Sequence, residues 1–312
     1  MDSHNHTFYQ SQLNDIADHI SQIILGKNDA IRLALCCLLC RGHLLIEDLP
    51  GMGKTTLAHA LATSLGLNFN RIQFTSDLLP ADILGISIYE QANGQFNFHP
   101  GPVFTQVLLA DEINRATPKA QSALLEAMEE HQVTTEGKTR NLPEPFFVIA
   151  TQNPGFQIGT FPLPESQLDR FFMRIHLGYP DEKAERELLT SLDRHELIEQ
   201  LQCQLELQDL FDLQQAVKKI HVSPDLLDYI QALIKLSREP GNFIAGLSPR
   251  AGLALLHAAQ SWALMSGRNY VLPEDVQQIL PSIVNHRLQT ISGSYENKSF
   301  TASDILLNIP IP

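Results

Sequence analysis

The stretch Asp48-Leu-Pro-Gly-Met-Gly-Lys-Thr55 decides the fold. A short apolar run, His43 to Glu47, precedes it, and an amphipathic helical pattern, Lys54 to Leu65, follows and stops at Gly66. The quoted residues therefore join a strand to a helix, which is where a phosphate-binding loop operates. The helix N-terminus offers unpaired amides to an anion, and Gly51 and Gly53 let the backbone come close. Lys54 would neutralise the β- and γ-phosphates, and Thr55 would bring a hydroxyl to Mg²⁺. Asp48, Pro50, Gly51, Met52, Gly53, Lys54, Thr55 and Thr56 are the candidate nucleotide contacts. The usual eight-residue signature begins with Gly, and Asp48 stands in its place, so the formal pattern fails at one position.

Further along, Asn68 to Phe74 reads as a strand, and Ile86 to Phe98 alternates around Asn93-Gly94, a hairpin signal. Val107-Leu-Leu-Ala-Asp-Glu112 is a buried parallel-type strand ending in two adjacent carboxylates. They would stand at the C-terminal edge of the sheet beside the loop, Asp111 to hold Mg²⁺ and Glu112 to act as general base towards water. Thr117-Pro118 opens a helix, and a second hairpin turns at Glu136-Gly137. Ala150-Thr-Gln-Asn-Pro154 closes another buried strand. Asn153 could there contact a water or the γ-phosphate, although an Asn-Pro turn explains the same residues. After a last strand, Phe171 to His176, helical periodicity takes over from about 183, with starts at Ser223-Pro224 and Ser248-Pro249.

Strands alternating with helices predict a three-layer αβα P-loop core with a parallel sheet over residues 1–185, followed by a linker and a small all-α lid over 186–312. The boundary falls in the polar stretch 185–220. The chain of 312 residues is long enough for about two domains. Its formal charge of −13, from 22 Lys and Arg against 35 Asp and Glu, disfavours bulk binding to nucleic acid or anionic membrane. No run spans a bilayer and no signal peptide is legible, so the expectation is a cytoplasmic protein. Three of the 4 cysteines, Cys36, Cys37 and Cys40, lie in one apolar helical pattern and read as core thiols, and Cys203 stands far away. Neither His43, His99 nor His131 has metal-ligand spacing.

In this order the phosphate loop, Ala110-Asp-Glu-Ile-Asn-Arg-Ala116, Ala150-Thr-Gln-Asn-Pro154 and Leu168-Asp-Arg-Phe171 resemble the AAA+ ATPases, and within them the MoxR family. Gly101-Pro-Val-Phe104, the run from Thr117 through Glu130, and Leu247-Ser-Pro-Arg-Ala251 extend the resemblance from about Ile24 to Arg287. It implies an ATP-hydrolysing core and helical lid, Mg²⁺ as cofactor, and a ring, commonly a homo-hexamer. It also implies an insertion matching the Ile86 to Phe98 hairpin, and a first loop position that is often acidic. By the same resemblance Asn153 matches sensor 1, Arg170 the arginine finger that reaches a neighbour's γ-phosphate, and Arg250 sensor 2.

The residues alone leave surface salt bridges open for both arginines, with Arg115 and Arg174 as rival interface candidates. The family resemblance further implies chaperone-like remodelling of client proteins together with a separate partner carrying a von Willebrand factor A domain. A nucleic-acid motor akin to the MCM helicases, and a magnesium-chelatase-like subunit, are the alternatives. No nucleic acid is expected, because the hairpin from Val133 to Asn141 holds only Lys138 and Arg140 as cations.

Overall fold

The computed structural model describes residues 3–91, 94–154, 159–190, 194–291 and 301–311. Two helices, α1 (Ser3–Ser21) and α2 (Asn28–Leu39), lead into β1 (Leu44–Glu47), the phosphate loop and α3 (Lys54–Ser64). Next come β2 (Phe69–Gln73), α4 (Pro80–Leu84), and a hairpin of β3 (Gly85–Glu90) and β4 (Gln95–Pro100). Strand β5 (Val107–Asp111) runs through a short 3-10 turn into α5 (Pro118–Glu130) and a hairpin of β6 (Gln132–Thr135) and β7 (Lys138–Asn141). Strand β8 (Phe147–Gln152), the single turn α6 (Glu165–Leu168) and β9 (Met173–Ile175) complete the strands. The rest is helical: α7 (Glu182–Thr190), α8 (Arg194–Glu199), α9 (Leu207–Val217), α10 (Pro224–Arg238), α11 (Pro249–Met265), α12 (Pro273–Val284) and α13 (Ala302–Leu306).

Five strands form one parallel sheet in the order β2-β5-β8-β1-β9. Apolar side chains alternate between its two faces. Leu44, Ile46, Val107, Leu109 and Ile149 pack with α2 and α3, whereas Leu45, Leu108, Ala110, Val148 and Ala150 pack with α5. This double burial is why β5 and β8 read as unbroken apolar runs. Because the strands are parallel, the residues that follow β1, β5 and β8 emerge at one edge, and those that precede them at the other. The expected αβα core with its helical continuation is therefore the architecture found.

The N-caps read at Thr117, Ser223 and Ser248 each accept a backbone amide, from Ala120, Leu226 and Ala251. The stretch 185–220, read as a polar boundary, is not an open connection. It carries α8 and α9, whose Ile198, Leu210, Leu213 and Val217 are buried in the main core. Their helical spacing, hidden in a polar composition, brings the segment down onto α2, α3 and α11. Helix α11 also packs against α1 and α2, so one apolar core runs from the sheet into the C-terminal helices.

Tyr89 faces Phe96 across the first hairpin, and Ser87 faces Phe98. Asn93, half of the predicted turn, lies outside the described residues. Phe98 packs on Phe104, with ring centroids 5.7 Å apart, and lies 3.6 Å under the Arg140 guanidinium of the second hairpin. Phe96, by contrast, is 70% exposed. Cys36 and Cys37 are buried, Cys40 is half-buried and Cys203 is exposed, all as free thiols. Among the described residues no helix is long and apolar enough to cross a membrane.

His43, just before β1, is a buried bridge. Its Nδ1 accepts the Val148 amide at 3.0 Å, and its Nε2 lies 3.1 Å from the Met128 carbonyl, to which it must donate. That pairing suits the neutral ring alone, because a second ring proton would face an amide N–H. Burial pushes its pKa down to about 4, against the weaker pull of the Met128 carbonyl.

Candidate nucleotide site

The loop after β1 frames a cavity of about 380 Å³ at the C-terminal edge of the sheet. Gly51 and Gly53 have φ of +85° and +88°, which side chains rarely adopt. A Cβ on either would meet nothing within 4 Å, so both glycines border open space suited to a ligand. Lys54, at the first position of α3, crosses beneath it, donating to the Asp48 carbonyl at 2.5 Å and to Asn153 Oδ1 at 3.0 Å. Burial lowers the Lys54 pKa, opposed by the nearby Asp111, Asp48 and Glu112 carboxylates. A phosphate beside it would oppose that shift by favouring the charged form.

Pro50, Gly51, Gly53, Lys54, Thr55 and Thr56 line this cavity, and two of the predicted contacts, Asp48 and Met52, do not. Met52 packs against the main core instead. Asp48 is buried with its carboxylate turned aside: Oδ2 accepts the amides of Leu177 and Gly178, both at 2.6 Å, and Oδ1 accepts Leu49 at 3.0 Å. The departure from Gly thus has a physical purpose. The acid fastens the start of the loop to the chain that leaves β9, a contact that the sequence could not display.

Across the cavity, Asp111 and Glu112 leave the end of β5. The Thr151 hydroxyl, fully buried on β8, donates to Asp111 Oδ1 at 2.6 Å and accepts the Glu112 amide at 2.9 Å, so one side chain sets both acids. Glu112 occupies the left-handed region, with φ 55° and ψ 50°, an uncommon conformation for a residue with a side chain. Its Oε1 accepts Asn153 at 3.1 Å, and its Oε2 accepts Gln73 at 2.9 Å and Arg115 at 2.8 Å. Arg71 Nη2 donates to Asp111 Oδ2 at 2.6 Å. A chain of polar contacts therefore runs from Lys54 through Asn153 to Glu112 and Gln73. The Thr55 hydroxyl and Asp111 carboxylate are hard oxygen donors of the type that suits Mg²⁺.

Arg170 and Arg250 stand elsewhere. Arg170 follows α6 just before β9 and hence lies at the N-terminal edge of the sheet, as does Arg250 in the first turn of α11. Arg170 donates to the Leu125 carbonyl at 2.8 Å and lies 3.7 Å from Glu129, to which Arg250 also pairs. Both arginines line a separate cavity of about 340 Å³ with Arg287, Asp169 and His257. Of the rival arginines, Arg115 bonds the candidate base itself, and Arg174 is held within the chain by Glu47 and the Asn285 carbonyl, each at 2.8 Å.

Reading the sequence missed Arg71, Gln73 and Thr151. The alternation of β2 offers one signal. Ile72 is buried on the α5 side, so Arg71 and Gln73 share the α3 face, on which the phosphate loop rests.

With this geometry in view, residues 43–173 match the family model described as the ATPase family associated with various cellular activities, and residues 241–309 match an AAA lid domain. The uncharacterized Bacillus subtilis protein YeaC is 44% identical over 90% of this chain and 89% of its own. Chaperone MoxR1 of Mycobacterium tuberculosis is 42% identical over 86% of this chain and 73% of its own. A candidate ATPase from Cytophaga hutchinsonii, known from its crystal structure, superposes with a TM-score of 0.87 at 36% identity, covering 97% of this chain and 94% of that one.

Proposed function

The chain belongs to the MoxR family of AAA+ ATPases, and from that premise we propose that it hydrolyses Mg-ATP in the cavity after β1 to drive chaperone-like remodelling of partner proteins. The observation that carries the site assignment is the convergence of Lys54, Thr55, Asp111, Glu112 and Asn153 on one cavity at one sheet edge. Loop amides and Lys54 bind the phosphates. Thr55 and Asp111 would hold Mg²⁺, which supplies positive charge at the β- and γ-phosphate oxygens. Asn153 releases Glu112 to contact the terminal phosphate, and Glu112 takes a proton from the water that attacks phosphorus, with ADP leaving in line.

Arg170 and Arg250 act on a neighbouring subunit's nucleotide, since each faces the edge opposite its own phosphate loop. Glu129 is the counter-ion they share in the single chain. A head-to-tail assembly meets that requirement, and its closure into a homo-hexameric ring is carried over from the family resemblance. We keep the division into a core, 1–185, and a lid, 186–312, with the lid seated on α1 and α2. The name chaperone on the Mycobacterium relative and the exposed Phe96 hairpin support protein clients, and a separate von Willebrand factor A partner is carried over from the family resemblance.

Steady-state ATPase rate against protein concentration, with mass measured by light scattering, tests this reading. A rate per subunit that climbs with assembly and collapses in Arg170→Ala is expected. A rate independent of concentration and untouched by that substitution would overturn the shared site.

A further inference from the structure

We propose that Arg71 is a ligand of the γ-phosphate, a further catalytic residue through which the subunit tells ATP from ADP; this rests on reading the cavity as an ATP site. Arg71 lies on β2, outside every motif that marks the phosphate loop, yet its side chain lines the same cavity as Lys54, Thr55, Asp111, Glu112 and Asn153. The fold brings it there in two steps. Strand alternation puts Arg71 and Gln73 on the α3 face, and the parallel register that sets Gln73 beside Asp111 lets the longer arginine side chain reach the same carboxylate.

The bonds of the guanidinium describe a cation in waiting. Its contacts to Asp111 Oδ2 at 2.6 Å and Gln73 Oε1 at 3.1 Å both leave from Nη2 and use neither Nε nor Nη1. The side chain is 47% exposed, whereas that of its partner Asp111 is 11% exposed. An ion pair of which one member is half in water is weakly held, so its arginine can turn to another anion at small cost. A planar fork suits phosphate oxygens better than a point charge does, and it keeps its charge at any physiological pH.

Position selects the phosphate it can reach. In the order β2-β5-β8-β1-β9, strand β2 lies three strand spacings from β1, about 14 Å. The loop and Lys54 issue from β1 and wrap the β-phosphate. Asp111, Glu112 and Asn153, from β5 and β8, mark the side towards which the terminal phosphate extends. A side chain arriving from β2 meets only that end of the ligand. ADP, which stops at the β-phosphate, leaves Arg71 on Asp111. ATP supplies an oxygen that takes it over, and the same contact stabilises the charge that spreads over the phosphoryl group in the transition state.

Binding separates this role from that of a mere counter-ion for Asp111. Fluorescent mant-ATP and mant-ADP would be titrated with Mg²⁺ into full-length Glu112→Gln protein, in which turnover is suppressed, and into the same protein carrying Arg71→Ala or Arg71→Lys. Loss of a charge-assisted bond to the γ-phosphate weakens mant-ATP about tenfold in Arg71→Ala and leaves mant-ADP within about twofold. Arg71→Lys, which keeps the charge without the fork, falls between. Equal weakening of both nucleotides would make Arg71 only a partner of Asp111, and no weakening of either would make it a surface pair; each result overturns the proposal. If thermal melting shows that Arg71→Ala does not fold, the Arg71→Lys comparison decides by the same ratio. Failure of the Glu112→Gln parent to bind either nucleotide would sink the ATP reading of the cavity itself.

Discussion

Arg170 cannot serve its own phosphate loop. The chain crosses the sheet from His43, whose carbonyl accepts the Phe172 amide beside Arg170, to Asp48 at the start of the loop. Five residues of extended chain span about 17 Å, and Arg170 is turned towards α5, where it bonds the Leu125 carbonyl. The proposed site shared between subunits is tested by mixing two inactive variants. On that proposal Lys54→Ala should fail to hold ATP but carry an intact Arg170, and Arg170→Ala should hold ATP but lack the finger. Each alone should be inactive. When the two are mixed one to one and allowed to exchange, about a quarter of the interfaces in any closed head-to-tail ring combine a sound pocket with a sound finger. Phosphate release should therefore return to about a quarter of the wild-type rate. A mixture no more active than its components, although light scattering shows mixed assemblies, would refute the trans assignment.

Three further outcomes follow from contacts within one chain. His43 is held at about 4 in the fold against 6.5 when unfolded, so the unfolded chain binds the extra proton between these values; stability is full above pH 6.5 and falls by about 3 kcal/mol towards pH 4. Urea unfolding across that range should show His43→Gln losing correspondingly less than wild type, and parallel profiles would contradict the neutral bridge. Asp48→Gly restores the common loop signature yet strips the acceptor from the Leu177 and Gly178 amides, so a loss of about 2 kcal/mol is expected, and an unchanged unfolding midpoint would speak against the clamp. Thr151→Val keeps the shape but leaves Asp111 Oδ1 and the Glu112 amide without their partner; it should cost about 1–3 kcal/mol and slow turnover, with Thr151→Ser recovering both. Equal rates for Val and Ser would remove Thr151 from the positioning of the acids.

What could be read along the chain was what local chemistry writes there. A glycine-bearing loop between a strand and a helix, and an apolar strand ending in Asp111 and Glu112, state their purpose in consecutive residues. Arg71 and Gln73 were silent because their meaning depends on β2 pairing with β5, a neighbour nearly forty positions away in the chain. Asp48 looked like a flaw in a motif until the amides of Leu177 and Gly178 supplied its partners. The stretch 185–220 reads as polar for a related reason: charged and amide residues separate its apolar side chains, and only α2, α3 and α11, distant in the chain, show that Ile198, Leu210, Leu213 and Val217 are buried. Arg250 is the sharpest case. Its place after Ser248-Pro249 was legible, but that it shares Glu129 with Arg170, rather than facing its own phosphate loop, is a property of the packing.

The claim on which the rest stands is that Glu112 prepares water for a nucleotide held by Lys54. Mant-ATP binding and single-turnover phosphate release, measured together for wild type, Glu112→Gln and Lys54→Ala, address it directly. Glu112→Gln should retain nucleotide but release phosphate at least a hundredfold more slowly, at the lower bound of about 10²–10⁴ for a lost general base, and Lys54→Ala should bind none. Wild-type phosphate release from Glu112→Gln, or undiminished binding by Lys54→Ala, would contradict that claim.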